Sequence, residues 1–558
     1  MLPRYLLSAA ILGGLSGCSS PTASQPASSA WFIDVTKERE LDFRHDPGPT
    51  GSYFLPQVIG SGAALIDFNN DGRLDIYLLQ NAGPESTSKN QLFQQLDNGR
   101  FRNVSEQSGL DYAGYCMGAY AGDVNNDGWP DLYVTQYGGG QLFLNQGGER
   151  FERAAKSGID SSAWETAASF CDYDRDGWLD LVIVNYLNLD LSKTCTSAAS
   201  QRDFCHPLNF SGTPSRLYHN QGKQGDDWLG FEDRTEQSGL GKLPASGLGL
   251  LCMDLDGDRW TDFFVTVDAA ANHAWINRQD GTFAEEAVVR GLALSARGEA
   301  LGNMGVADGD VDGNKLADLF VTHLTNEQHS LWKQGPVGLY RDQIAAAGLT
   351  QTLWHGTGFG TVLADFDNNR SLDLAIVNGR VIRASPPTDP FWNAYAERNQ
   401  LLSNDGTGKF RDLSASNSAL CGEANIARGL AIGDLNNDGA LDLLVTRIAA
   451  SPILLQNSVP ERGHWLMIRA VDPELRRDAI GATISIKSGE HFQQRLVQPG
   501  RSYLCSNDHR AHFGLGSEER VDELLVVWPQ GDEERFECPG VDRVIELRRG
   551  AGIDRSRR

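Results

Sequence analysis

A nine-residue acidic pattern recurs seven times along the 558-residue chain, and it limits what the chain can become. The first copy is Asp67-Phe68-Asn69-Asn70-Asp71-Gly72-Arg73-Leu74-Asp75, with side-chain oxygens at positions one, three, five and nine. A hard cation takes six to eight oxygens at about 2.3–2.6 Å, and acidic groups on alternate residues of a tight turn supply most of them. The spacing therefore predicts short Ca²⁺ loops. The other copies carry Asp123/Asn125/Asp127/Asp131, Asp172/Asp174/Asp176/Asp180 and Asp254/Asp256/Asp258/Asp262. The last three carry Asp310/Asp312/Asn314/Asp318, Asp365/Asp367/Asn369/Asp373 and Asp434/Asn436/Asp438/Asp442. Every donor is Asp or Asn, which suits Ca²⁺ and argues against zinc or copper.

The seventh position holds Arg73, Trp129, Trp178, Trp260, Leu316, Ser371 and Ala440. Side chains so different cannot share a ligand role, so the expected donor there is the backbone carbonyl. The sixth position is Gly72, Gly128, Gly177 or Gly439 in four loops and Arg259, Lys315 or Arg370 in the others. A non-glycine residue at positive φ costs roughly 1 kcal/mol or more, and a basic group beside an ion repels it. Up to seven ions are expected, bound most strongly in the loops starting at Asp67, Asp123, Asp172 and Asp434. Metal-free Asx-rich turns are one alternative. An EF-hand is another, but it needs a bidentate Glu at position twelve. Those positions are Leu78, Val134, Ile183, Val265, Val321, Ile376 and Val445.

Each loop runs into a short apolar strand, such as Asp131-Leu-Tyr-Val-Thr135, and follows a small-residue strand, such as Gly429-Leu-Ala-Ile-Gly433. A third strand often ending in Asn and a fourth opening with an aromatic, such as Phe101-Arg-Asn-Val-Ser105, complete a unit of four strands. Units of roughly 50 residues with four strands are propeller blades. After the seventh loop no aromatic fourth strand follows, while an unused one, Phe32-Ile-Asp-Val-Thr36, opens the chain. The expected fold is all-β: a seven-bladed propeller over residues 31–459, closed by that N-terminal strand. A linear array of hairpins would leave the Phe32 strand unexplained.

The first residues, Met1 to Cys18, hold one Arg, a short apolar run and the ending Leu15-Ser16-Gly17-Cys18. The run is too short to span a membrane. It resembles a bacterial lipoprotein signal over residues 1–18 with Cys18 lipidated; an ordinary secretory signal is the alternative. Residues 19–30 are Ser/Ala/Pro/Thr-rich and have the composition of a tether. The expected location is the outer membrane, through a lipid anchor. Eight further cysteines permit disulfides in an exported chain. Cys195–Cys205, within a long insertion, and Cys505–Cys538 are the candidate pairs. A net charge of −24 argues against nucleic acid as a partner.

From about residue 460 the acidic pattern stops, and short alternating strands to about 548 predict a small β domain of sandwich type, followed by a tail over 549–558. The loops with their flanking strands resemble FG-GAP/VCBS repeats of the integrin α-chain type. The stretches Arg477-Asp-Ala-Ile-Gly-Ala482, Gly500-Arg-Ser-Tyr503, His512-Phe-Gly-Leu-Gly516 and Val526-Val-Trp-Pro529 resemble the ASPIC/UnbV domain. Together they look like the bacterial relatives of the cartilage acidic protein family. That resemblance implies a secreted or surface calcium-binding propeller with a binding role.

Catalytic signatures are missing: there is no Gly-x-Ser-x-Gly, no HExxH and no phosphate loop. His509 and His512 form a two-His fragment, and His355 is a candidate for the propeller channel, with surface and packing roles as the alternatives. The expectation is a non-enzymatic, monomeric binding module for a glycan or protein, with Trp129, Trp178 and Trp260 as candidate exposed platforms. The alternatives are a calcium-dependent extracytoplasmic enzyme acting on polysaccharide, or a scaffold of a surface assembly.

Overall fold

The structure is a computed structural model that describes residues 30–197, 200–384 and 390–554, so Cys18 and the segments 1–18 and 19–29 lie outside the described residues. Seven four-strand antiparallel units follow one another in chain order. In the first, Ala63–Ile66 turns through the acidic loop into Asp75–Leu78, then Gln91–Gln95 and Phe101–Asn103. The innermost strands lie against one another in sequence, and the last, Ala427–Gly433, comes back against Ala63–Ile66. The ring is a β-propeller.

Small residues make that crowding possible. A Cβ on Gly305 would stand 1.9 Å from the Phe359 carbonyl oxygen, and one on Gly360 would stand 2.6 Å from the Leu430 nitrogen. Phe32–Asp34 is the outer strand of the final unit, with Phe32 opposite Asn457. The Phe32 side chain is buried and meets the Phe366 ring edge-on at 5.2 Å. Removing a buried ring costs about 3–5 kcal/mol. Phe32→Ala is therefore expected to lower the urea midpoint by that equivalent; a loss under about 1 kcal/mol would mean that this strand does not hold the ring closed.

The second domain has two sheets around a core that includes Leu466, Ile484, Phe513 and Trp528. One sheet joins His464–Asp472 to Ala511–Gly516 and, in parallel, to Arg543–Arg548. The other runs from His491–Leu496 through Thr483–Ser488, Glu523–Val527 and Glu533–Phe536 to Ile553–Asp554. The domain thus extends to residue 554, beyond the expected limit of 548, because Ile553 pairs with Arg535.

Between its strands this domain sends a tongue, residues 498–508, into the propeller axis. Cys505–Ser506 pairs in parallel with Ala63 and Ala64, and Ser502 bridges to Val306. Backbone N–H groups of Ala121, Thr361 and Ile432 donate to Ser506 Oγ, Ser502 Oγ and Asn507 Oδ1, while Gln498 Nε2 donates to the Phe170 carbonyl. The tongue therefore touches the inner strands of the first, second, third, fifth, sixth and seventh units. Its placement corrects the expected Cys505–Cys538 bridge. Cys505 is a buried free thiol on the axis, and Cys538 is free beyond the strand Glu533–Phe536 of the outer sheet. Cys195 and Cys205 are disulfide-bonded.

Candidate functional site

The seven acidic loops share one backbone turn. Their fourth residues all have positive φ, from 52° at Asn126 to 87° at Gly257, and so do their sixth, from 73° at Arg259 and Lys315 to 98° at Gly128. The sixth-position expectation holds in geometry, but the basic residues do not crowd the loop centre. Arg259 pairs with Glu533 at 2.6 Å, the Lys315 ammonium lies 5.0 Å over the Phe492 ring, and Arg370 donates to the Leu515 carbonyl at 3.3 Å. All three strained residues grip the second domain.

Side chains fasten five of the seven loops to the next. Asn70 donates to the Gly128 carbonyl, Asn126 to Gly177, Arg175 to Arg259, Asn368 to Gly439 and Asn437 to Gly72, at 2.6–3.2 Å. The Asn that ends a third strand has a related use. Asn145 Nδ2 donates to the carbonyls of Pro130 in its own loop and Phe68 in the preceding one. Asn220, Asn277, Asn404 and Asn457 repeat the arrangement.

The ninth-position aspartates Asp75, Asp131, Asp180, Asp262, Asp318, Asp373 and Asp442 are buried. Each accepts the second-position N–H on one oxygen and a third-strand N–H on the other, as Asp131 does from Val124 at 3.0 Å and Asn145 at 2.8 Å. Burial, reinforced by neighbouring carboxylates, pushes Asp75 and Asp262 up to about 8, Asp318 to about 7, and Asp131, Asp180, Asp373 and Asp442 well above the carboxylate range. Burial likewise raises the first-position Asp67, Asp254 and Asp310, and lifts Asp123, Asp172 and Asp365 to about 7 and Asp434 to about 6. Desolvated acids this close call for a cation.

Four loops bring three carboxylates within 4.8 Å of one another: Asp172/Asp174/Asp180, Asp254/Asp256/Asp262, Asp310/Asp312/Asp318 and Asp365/Asp367/Asp373. Three of these are the loops ranked weaker from sequence. Among the described residues, loops one, two and seven gather no such trio, because their third position is Asn69, Asn125 or Asn436 instead of Asp.

The fifth-position side chains also serve the turn itself. Asp258, Asn314 and Asn369 are exposed. Asp258 accepts from the Trp260 N–H at 2.8 Å and from Gln279 Nε2 at 3.0 Å. Asn314 accepts from the Leu316 N–H at 2.8 Å and donates to the Gln334 carbonyl at 2.9 Å. Asn369 accepts from the Ser371 N–H at 2.7 Å and donates to Asp367 Oδ2 at 3.0 Å. In loop seven Asn436 is exposed and donates to Asp438 Oδ2 at 3.1 Å. Asp438 also accepts from the Ala440 N–H at 2.9 Å and from Arg462 at 3.4 Å. Loop one does the same: Asn69 donates to Asp71 Oδ2 at 3.0 Å, and Arg73 pairs with Asp71 at 2.6 Å. The physical reason is local. An Asx side chain in a tight turn bonds the nearest N–H two residues on, and these groups do so here.

Two buried oxygens, Asn125 Oδ1 and Asp172 Oδ1, have no hydrogen-bond partner. By its chemistry the donor set fits a divalent ion held by positions one, three and nine with the seventh carbonyl, the fifth side chain completing the shell. The seventh residues are held alike, each N–H donating to the fifth side chain, as Trp129 does to Asp127 at 3.0 Å and Trp178 to Asp176 at 2.8 Å. One group escaped sequence reasoning. His219 Nδ1, from a third strand, lies 3.2 Å from both Asp174 Oδ2 and Asp180 Oδ1, and these hydrogen bonds raise it to about 10.

The second domain sits on the loop face. Arg477 donates to Asn126 Oδ1 and the Gly177 carbonyl, Arg510 donates to Asn437 Oδ1, and His512 Nε2 meets the Gly439 carbonyl at 3.1 Å. Burial drives His512 down to about 4, whereas His509 lies beside Asp478 at 3.2 Å. The two therefore have separate partners and do not form a two-His fragment. His355 packs on His329, ring centroids 4.3 Å apart. The tryptophans are half-buried instead of forming exposed platforms. Trp129 lies against Gly148, Trp178 against Gly222, and Trp260 beneath the Arg175 guanidinium at 4.1 Å.

The opposite face carries a cluster of aromatic rings. Phe54 meets Tyr115 and Tyr137 at 5.0 and 5.2 Å, and Tyr53 meets Phe204 and Phe391 at 5.4 and 5.5 Å. Trp392 stacks on Phe204 at 6.3 Å. Tyr53, Phe54, Tyr115, Tyr137, Phe391 and Trp392 are all half-buried. The disulfide-closed insertion supplies Arg202, which lies over Tyr53 at 5.2 Å, and Asp203, which accepts from Tyr395 at 2.7 Å.

Residues 67–134, 123–183, 254–321 and 388–445 match the FG-GAP-like repeat, and residues 472–554 match the ASPIC and UnbV family. Cartilage acidic protein 1 of Homo sapiens is 28% identical over 318 residues, covering 54% of this chain and 44% of that protein. The Xenopus tropicalis protein of the same name is 24% identical over 344 residues, covering 51% and 52%. The chain spans about half the length of the curated relatives it matches. Among solved structures, an Agrocybe aegerita lectin specific for non-reducing terminal N-acetylglucosamine aligns with TM-score 0.42 and 14% identity, covering 67% of this chain and 86% of that one. BBS1N in complex with ARL6DN aligns with TM-score 0.38 and 9% identity, covering 77% and 98%. The chain thus carries FG-GAP-like repeats followed by a C-terminal ASPIC/UnbV domain.

Proposed function

We propose that the chain is an exported, lipid-anchored, calcium-stabilised module that binds a glycan on the aromatic face of its propeller. The carrying observation is the division of the two faces. The second domain covers the acidic loops, and the other face presents half-exposed Tyr, Phe and Trp rings beside Arg202. The electron-rich face of an aromatic ring attracts the C–H face of a sugar, while tyrosine hydroxyls and charged neighbours take its hydroxyls. Oxygen-only donors at six of the seven loops support calcium as the structural ion. The ending Leu15-Ser16-Gly17-Cys18 supports export and anchoring.

Screening the full chain against immobilised glycans, followed by titration calorimetry on the best binder, tests this reading. Tyr137→Ala and Trp392→Ala are expected to weaken binding by at least about tenfold each while leaving the melting temperature near the wild-type value. Unchanged affinity in both variants, or capture of a protein in place of any glycan, would overturn it. A second reading, hydrolysis of a polysaccharide, is favoured by one observation. A cavity of about 440 Å³ between the domains gathers His509, Asp478, Arg469 and Arg510. That reading requires new reducing ends to appear on incubation with polysaccharide, and their loss in His509→Ala.

A further inference from the structure

Loop three differs from the other six. The residue just before the third-strand N–H that meets the ninth-position Asp is His219, where the other units have Gln94, Leu144, Ile276, Lys333, Ser403 and Gln456. Its Nδ1 is 3.2 Å from Asp174 Oδ2 and 3.2 Å from Asp180 Oδ1. Ligand atoms of Asp174, Asp176 and His219 all lie within 4.8 Å of one another, as do those of Asp172, Asp174 and Asp180.

A second observation concerns Asp172, which is 4% exposed and has a buried Oδ1 without a partner. In loops one, two, six and seven the matching oxygen accepts the fifth-position N–H at 2.9–3.2 Å. In loop three the Asp176 N–H goes to Asp174 Oδ1, leaving Asp172 Oδ1 buried and unpartnered in a loop where an Asp172 oxygen lies within 4.8 Å of those of Asp174 and Asp180.

We propose that loop three holds a borderline first-row transition-metal ion, typified by Zn²⁺, with His219 Nδ1 as its nitrogen ligand beside the carboxylates of Asp172, Asp174, Asp176 and Asp180. Imidazole favours Zn, Cu, Fe and Ni, whereas an all-oxygen site favours Ca²⁺. Ligand atoms bound at about 2.1 Å stand roughly 3.0–3.4 Å apart, which matches the His219 separations. Lys333 of unit five reaches its own loop in the same way, 3.3 Å from Asp312 Oδ2, but an ammonium has no lone pair to give a metal.

The test uses the full chain stripped of metal, refilled in excess Ca²⁺ with Zn²⁺ or Co²⁺, desalted and assayed by elemental analysis, with the cobalt visible spectrum as a second readout. The wild type is expected to retain a single Zn²⁺ per chain against Ca²⁺. His219→Gln is expected to weaken Zn²⁺ at least about tenfold with its calcium content unchanged. His219→Lys keeps a cation beside Asp174 and Asp180, so it is expected to melt like the wild type yet lose Zn²⁺. Zinc retention equal in all three proteins, or none in the wild type, would overturn the proposal and leave His219 as an internal counterion.

Discussion

Stripping calcium from the purified protein is expected to lower its melting temperature by about 10 °C at pH 8 and by far less at pH 5. Each ion held at a hundred times its Kd adds about 2.7 kcal/mol. Near the midpoint a chain this long loses about 1 kcal/mol per degree, so four occupied loops correspond to roughly 10 °C. The pH dependence follows from the buried carboxylates. Asp75 and Asp262 are raised to about 8, and Asp123, Asp172, Asp318 and Asp365 to about 7. The metal-free fold therefore binds more protons than the unfolded chain between about pH 4 and 8. Its stability is greatest below the unfolded pKa and falls as pH rises through the folded values. An ion removes that loss by neutralising the acids, so the gap between loaded and stripped protein widens with pH. Calorimetric scans at pH 5, 6, 7 and 8 measure it directly, and a gap that stays constant or narrows would count against metal in these loops.

Tyr503→Ala is expected to cost about 3–5 kcal/mol and to split one unfolding transition into two. The Tyr503 ring is 1% exposed at the tip of the tongue and meets Phe359 at 5.0 Å, and its hydroxyl donates to the Ile59 carbonyl at 3.3 Å. Arg428 also stacks on Phe359 at 3.9 Å and donates to the carbonyls of Val58, Gly379, Ala427 and Arg380. Burial lowers that guanidinium to about 9. Shortening the tyrosine leaves a hole at the point where both domains and the blade ends meet. Differential scanning calorimetry reads both effects; a single transition shifted by less than 1 °C would show that the tongue is a passenger.

The acidic loops, the strand order and the outer strand at Phe32 were legible because each follows a local rule: oxygen spacing, short apolar runs of strand length and a missing aromatic strand. The spacing did not reveal what else the fifth-position oxygens hold. Asp258, Asn314 and Asn369 share the pattern with Asp172 and Asp254, yet they face solvent and bond their own turn. What escaped the sequence altogether depends on long-range pairing. The tongue joins Cys505 to Ala63 across more than four hundred residues, and no local pattern marks Gly500–Asn507 as part of another domain's centre. His219 lies outside the nine-residue pattern and reaches the loop only because the third strand pairs beside Asp180. The aromatic face gathers Tyr53, Tyr137, Phe204 and Trp392 from four separate segments. The tryptophans of the loops gave a clear but misleading signal, because a half-buried ring on a glycine turn and a solvent-facing ring look identical in a sequence.

The links between neighbouring loops depend on a side chain at the fourth position, and Gly257 and Gly313 have none to offer. Those two junctions hold without that stitch. Slow breathing of the toroid has a preferred split there, and deuterium uptake at amides flanking Gly257 and Gly313 should outrun uptake at the corresponding amides beside Asn70, Asn126 and Asn437.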